Sequence, residues 1–595
     1  MSAELTDAQK REIGQHFVFG FHGHQVSDDV RKLIQEYYVG SIILMKRNVQ
    51  ITLSCISTDI VTVDESEFRN HATSGIKQVH ALVQDLQRLA KDAGHERPLM
   101  IGIDQECGLV SAFSSTAQKS EAGTQFPGAM AIAATGDPNL AGECAKATGL
   151  EMKAAGINWA YSPVADVNSD PRNPVIGVRS FGDDAKQVGE YVAKVSQGLA
   201  DAGIAPSPKH FPGHGDTHVD SHLALPVIDK SKDAILATEL VPFIQAIQQN
   251  VATIMTGHMA LPKLTGSDKL PCSLSRAITT DLLRGELKFD GVIVTDCLEM
   301  DAVVQEYGSE GGAVMSLQAG ADIVMICHTM ERHEGSVRKT YEAVSNGTLS
   351  MDELVASGRR IAKLKDEFAG TWNDVLDRSI SDAEIAQLAK KNARLSAEAY
   401  ARSTALVQGS VPHIDADKTV LVLFPETESL NKAVDDAEGV LRTKEGQVRN
   451  TAGPHYVAFA DSVKRRRPNS KWIVYSPLSK TGGEIGAEVV GELKGGGLGA
   501  VIFVTRNADQ SGWQLEYLRR VQEVASAASD GAATPIVMLA SCGPYEVIGG
   551  SERVDGCSAC VASFEYTPAA LEAACAVILR ERRAVGRVPV RGGGA

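Results

Sequence analysis

The chain has 595 residues, too many for one compact core, so two or three domains are expected. Its 43% hydrophobic and 22% charged content is that of an ordinary globular protein. A formal net charge of −15 argues against a nucleic-acid or anionic-membrane partner, since either would want a basic face.

The N-terminal residues MSAELTDAQKREIGQHF show no basic stretch followed by an apolar run, so no secretory signal is expected. The first two-thirds of the chain then alternate short apolar runs with amphipathic helical stretches, the pattern of a parallel α/β fold. Eight runs occur in order: HFVFGF (16–21), GSIILM (40–45), PLMIGID (98–104), INWAYSP (157–163), APSPKHF (205–211), ATIMTGH (252–258), GVIVTD (291–296) and ADIVMIC (321–327). Helix-like segments such as 138–155 and 185–201 lie between them, so residues 1–380 read as a (β/α)8 TIM-type barrel. Residues 51–77 have no period and read as an irregular insertion, with nothing functional placed there.

A helical stretch at 381–407 and a linker at 408–417 follow, so 381–417 is a connection between domains. From Thr419 a second alternation begins with VLVLF, WIVYS, AVIFVT, PIVMLA and ACVASF, and residues 418–595 read as a smaller α/β sandwich domain. No apolar run is long enough for a transmembrane helix. Ten scattered cysteines, several within strand-like runs, suit reduced thiols in a cytoplasmic protein. Cys557 and Cys560 form a lone C-x-x-C without a second pair or nearby histidine to complete a metal site. No feature sets an oligomeric state.

Most barrel runs end in polar or titratable residues: Asp104, Asp166 just past its run, Lys209 and His210, His258, Asp296 and His328. In a barrel these positions share the C-terminal rim, where active sites sit. The densest polar segment is KHFPGHGDTHVDSH (209–222), with four histidines and two aspartates in fourteen residues. Three readings compete. It is a metal site, a polar loop without chemistry, or a mobile catalytic loop in which Asp220 and His222 form a dyad. Pro212 and the glycines exclude the single helical face of a zincin motif. A carboxylate two residues from a histidine can accept its Nδ1–H and tune its proton affinity.

This run resembles the signature of glycoside hydrolase family 3, in its β-N-acetylglucosaminidase branch. IDQECG (103–108), FPGAM (126–130), SPVAD (162–166), NPVIGVRSFG (173–182) and GVIVTD (291–296) resemble further family motifs in the same order. The resemblance implies a retaining exo-β-N-acetylglucosaminidase that removes terminal GlcNAc from β-linked oligosaccharides through a covalent glycosyl-enzyme. It implies Asp296 as nucleophile, with His222 backed by Asp220 as acid/base. Asp104, Arg179, Lys209, His210 and Arg47 would bind the sugar. No cofactor and no metal are implied. A GlcNAc-specific phosphorylase and a β-glucosidase of the same family are the alternatives; the Asp-Ser-His loop argues against the latter. His214, His218, His22 and His24 read as structural. Asp166 reads as a brace of the strand end, while His258, His328, Glu299 and Met300 stand between pocket and structural roles. Cys107 and Leu109 depart from the family pattern.

Overall fold

The computed structural model describes residues 4–50, 65–114, 122–217, 224–426, 453–528, 534–548 and 554–592. The chain divides into two compact units. The first comprises Met1–Gln125, Pro138–Asn168 and Asp184–Leu395; the second comprises Phe126–Asp137, Ser169–Asp183 and Ser396–Ala595.

The first unit is the barrel. Its strands are β1 (Phe17–Phe19), β2 (Ser41–Leu44), β3 (Met100–Ile103), β4 (Trp159–Ala160), β5 (Ala205–Pro206), β6 (Thr253–Thr256), β7 (Val292–Cys297) and β8 (Ile323–Ile326). All eight coincide with the apolar runs. They form one parallel sheet in the order β5-β4-β3-β2-β1-β8-β7-β6. Closure between β5 and β6 uses the residues after β5: Met255 N donates to Pro208 O (3.0 Å), Phe211 N to Met255 O (2.8 Å) and Gly257 N to Phe211 O (2.9 Å).

Side-chain alternation explains why such short strands are apolar throughout. Val18, Ile43, Met100, Val294 and Met325 pack into the barrel interior with Trp159 and Tyr161. Their neighbours Phe17, Phe19, Ile42, Leu44, Ile101, Ile103, Val324 and Ile326 face the surrounding helices. Both faces of each strand are therefore buried, as a parallel barrel requires. Gly102 keeps room for this filling, since a Cβ there would lie 2.3 Å from the Tyr161 hydroxyl. Helices Pro138–Ala154 and Ala185–Asp201 fall where the sequence pattern puts them.

The helix before β3 differs from expectation. It runs from Glu65 to Asp92, so residues 65–77 of the expected irregular insertion are helical; 51–64 lie outside the described residues. The reading failed because Ser, Thr, His and Asn crowd the first turns and blur the apolar stripe.

The second unit is a separate α/β domain. Its sheet contains β9 (Ala405–Gly409), β10 (Thr419–Pro425), β11 (Lys471–Tyr475), β12 (Leu498–Thr505), β13 (Ile536–Ala540) and β14 (Ala559–Ala562). Their order is β9-β14-β13-β12-β10-β11, parallel except for β9 against β14. The helix expected over 381–407 spans Asp382–Ser403, and the chain then enters β9. Pairing with β14 overrides the helical period of Ala405–Val407, a long-range effect that a local pattern does not carry. The turn at Ser541 is stitched within this unit: Ser541 Oγ donates to Thr505 O (2.6 Å) and Gly543 N to Asn507 Oδ1 (3.0 Å). Among the described residues nine cysteines are free thiols, and no helix is long and apolar enough to cross a membrane.

Candidate active site

Asp296 lies one residue before the end of β7, with about a fifth of its side chain accessible. The N–H of Cys297 donates to its Oδ1 at 2.7 Å. His210, just after β5, brings Nε2 to 3.9 Å from the other carboxylate oxygen. The His210 ring is set from behind by Asp166, whose side chain is fully buried and whose Oδ2 lies 2.7 Å from Nδ1. The remaining oxygen of Asp166 accepts the backbone N–H groups of His210 (3.0 Å) and His214 (2.8 Å). These donors converge on one carboxylate, which holds the imidazole plane and directs Nε2 towards Asp296. Burial alone raises the proton affinity of Asp296. The charges of His210, His258 and Lys209 and the Cys297 N–H outweigh it, keeping the carboxyl below its ordinary value and ionised.

Lys209 supplies the site's buried cation. Its Nζ lies 2.7 Å from Asp104 Oδ1 and 2.7 Å from Glu106 Oε1; the lysine and Glu106 side chains are almost wholly buried, whereas Asp104 is a third exposed. The carboxylates come from the start of a small hairpin, Gln105–Cys107 against Val110–Ser111. Gln105 fixes that hairpin by donating to Ser111 and Ser114 and accepting the Phe113 N–H. Asp104 therefore keeps an oxygen for solvent-side partners while its charge is balanced.

Arg47, after β2, is tied to the adjacent strand ends. It donates from Nε to Phe21 O (2.9 Å), from Nη2 to Cys327 O (2.5 Å) and from Nη1 to His328 Nδ1 (3.1 Å). These bonds show a brace across the ends of β1, β2 and β8. Glu299 does the same between β7 and β8, accepting the N–H groups of Cys327 (2.9 Å) and His328 (2.6 Å). His258 has both ring nitrogens engaged, with Ser273 Oγ (2.7 Å) and Cys297 O (2.9 Å), so it supports the rim. His214 bonds Thr217 Oγ1 through Nδ1 at 3.0 Å.

The loop after β5 is anchored at both ends. Gly215 passes so close to the preceding rim segment that a Cβ would lie 1.6 Å from Val167 O. Lys230 joins Asp216 (2.9 Å) to the buried Glu239 (2.6 Å). His218, Asp220 and His222 lie between these anchors and outside the described residues. The structure thus brings together Asp296, His210, Lys209 and Asp104, with Arg47 bracing nearby. Arg179 belongs to the second unit, where it closes a short turn (Gly177–Arg179), is buried and donates to Val175 O at 3.3 Å.

Two residues gain weight beyond the sequence reading. Glu106 carried no role there, although its spacing of two from Asp104 was a signal for one strand face. Asp166 was read as a brace, but it is specifically the acceptor for His210. Among the described residues, Cys297, Cys327 and His328 are the group whose ligand atoms lie close enough together to hold a metal ion.

A parallel barrel whose rim gathers an ionised carboxylate, an oriented imidazole and a lysine–carboxylate cluster has the equipment of a sugar-processing barrel enzyme. The chain belongs to glycosyl hydrolase family 3: the N-terminal domain of that family matches residues 7–364. It is 34% identical over 357 residues to beta-hexosaminidase A of Pseudoalteromonas piscicida, covering 57% of this chain and 55% of that protein. Among solved structures it is similar to a glycoside hydrolase family 3 β-N-acetylglucosaminidase from Paenibacillus sp. (TM-score 0.78, 30% identity, 99% of each chain). It is also similar to a fungal multi-domain β-N-acetylglucosaminidase of the same family (TM-score 0.82, 32% identity, 98% of this chain and 60% of that one). The chain thus spans little more than half the length of the P. piscicida relative.

Proposed function

We propose that the protein is a retaining exo-β-N-acetylglucosaminidase. The observation that carries this reading is Asp296 at the barrel rim, held ionised and facing the Asp166-oriented His210 at 3.9 Å. The names of the relatives supply the sugar: a β-hexosaminidase and two β-N-acetylglucosaminidases. The substrate class is a β-linked, GlcNAc-terminated oligosaccharide.

In the first step a carboxylate oxygen of Asp296 bonds to the anomeric carbon as the glycosidic C–O bond breaks. Protonated His222, with Asp220 behind it, gives its proton to the leaving oxygen. In the second step neutral His222 takes a proton from water as that water displaces Asp296, releasing GlcNAc with retained configuration. Asp104, Lys209 and His210 hold the sugar, and Arg47 braces the strand ends beside them.

Incubation with a chromogenic β-GlcNAc substrate, with and without inorganic phosphate, tests the reading. Free GlcNAc in both cases supports it. GlcNAc 1-phosphate formed only when phosphate is present would replace it with phosphorolysis, and absence of any GlcNAc release would overturn it.

A further inference from the structure

We propose that Cys297, Cys327 and His328 form a binding site for a soft d10 cation such as Zn2+, Cd2+ or Cu+, and that a cation held there stops chemistry at the neighbouring Asp296. The thiol sulfurs and an imidazole nitrogen all lie within 4.8 Å of one another. This is a Cys2His donor set.

A break in strand register places the two thiols together. Ile323 of β8 pairs with Val294 of β7, but Met325 pairs with Cys297, so β7 carries one extra residue over this interval. Such a bulge re-aims the side chains that follow it. Cys297 therefore joins Val294, Met325 and Cys327 in the barrel-interior cluster instead of turning towards the outer helices. Met45 and Met300 pack against the same cluster, adding polarizable thioethers to its border. Thiols, thioethers and imidazole select soft cations over Mg2+ or Ca2+.

The backbone beneath the site is already fixed. Glu299 accepts the N–H groups of both Cys327 and His328, and Arg47 donates to Cys327 O. Such supporting hydrogen bonds hold metal ligands in place. Ligation through either ring nitrogen of His328 displaces Arg47 Nη1 from Nδ1. Glu299, whose Oε2 lies 3.9 Å from Cys297 Sγ, offsets Arg47 for an incoming cation. His328 is exposed while both cysteines are largely buried, so the imidazole marks the entrance. Binding of a divalent ion forms two metal–sulfur bonds and releases two thiol protons to solvent, without a redox step. Two thiolates neutralise a divalent ion, so the effect on Asp296 is geometric: drawing the Cys297 thiolate onto a metal shifts the backbone N–H that supports Asp296 Oδ1; this consequence rests on the nucleophile assignment above, whereas the metal site does not.

Titration of the reduced protein with Cd2+ tests the proposal through the ultraviolet charge-transfer absorption of cadmium–thiolate bonds. One Cd2+ per chain is expected. Cys297→Ser, Cys327→Ser and the surface variant His328→Gln should each weaken binding by about 10- to 100-fold, as loss of residues at a metal site does. A Cys557→Ser/Cys560→Ser variant should bind as the wild type. No absorption in the wild type, or unchanged affinity in His328→Gln and both single serine variants, overturns the site. Hydrolysis of a chromogenic β-GlcNAc substrate, followed in parallel, should fall as the absorption rises. Undiminished hydrolysis with the site filled overturns the inhibitory role, whereas a protein that binds Cd2+ but never hydrolyses the substrate contradicts the proposed activity alone.

Discussion

Asp166→Asn changes one atom behind the site and should disable it selectively. The carboxylate accepts the backbone N–H groups of His210 and His214 on Oδ1 and the His210 ring on Oδ2. An asparagine can accept on one side only. Keeping its oxygen towards the backbone turns its NH2 group to His210 Nδ1, and the ring must then carry its proton on Nε2, the atom 3.9 Å from Asp296. The opposite orientation orphans two buried backbone donors and costs more. Losing a hydrogen bond to a charged group costs about 1.5–3 kcal/mol, which corresponds to about a 10- to 150-fold fall in kcat/KM. Hydrolysis of an aryl β-GlcNAc substrate reads the fall, and 15N NMR of the His210 ring reads the tautomer change that a purely structural loss does not produce. Activity within about twofold of wild type, with the ring tautomer unchanged, would refute the assignment of Asp166 as the residue that positions His210.

Lys209→Met removes the buried cation shared by Asp104 and Glu106 and should destabilise the barrel by about 3–5 kcal/mol while lowering kcat/KM; an unchanged melting temperature contradicts this. Gly215→Ala forces the loop away from Val167 O and should cost about 1–3 kcal/mol with a matching loss of activity, read by calorimetry and steady-state rates. Lys365, fully buried and donating to Gln15 Oε1 at 2.7 Å, has its pKa pushed down to about 7 by burial and, secondarily, by Arg97. Between pH 7 and the ordinary lysine value of 10.5 the unfolded chain binds more protons than the folded one. Stability from this group therefore rises with pH by about 1.4 kcal/mol per unit and is lost as pH falls to 7. Lys365→Met should remove that slope in denaturant titrations at several pH values; an identical slope in both proteins refutes the linkage.

The barrel was legible because each strand buries both faces, so every one appears as an uninterrupted apolar run, and the polar residue closing the run marks the rim. Asp296, Lys209, His210 and Asp104 emerged in this way. What local pattern does not contain is which rim residues meet. Asp166 and His210 are forty-four positions apart, and their 2.7 Å contact depends on the closing of β4 against β5. Glu106 was passed over because its role depends on Lys209, more than a hundred residues away. The same limit hid β9, whose partner β14 lies far along the chain, and the bulge that sets Cys297 beside Cys327. The assignment of Arg179 came through resemblance alone, and compactness groups its segment with the second unit.

Trapping of the covalent intermediate tests the central claim most directly. A slow β-GlcNAc substrate bearing a fluorine on the sugar and a good leaving group should label the protein once, and peptide mass spectrometry should find the sugar on Asp296. Asp296→Ala should show neither label nor hydrolysis. A sugar adduct on another residue, or undiminished hydrolysis by Asp296→Ala, would contradict the account.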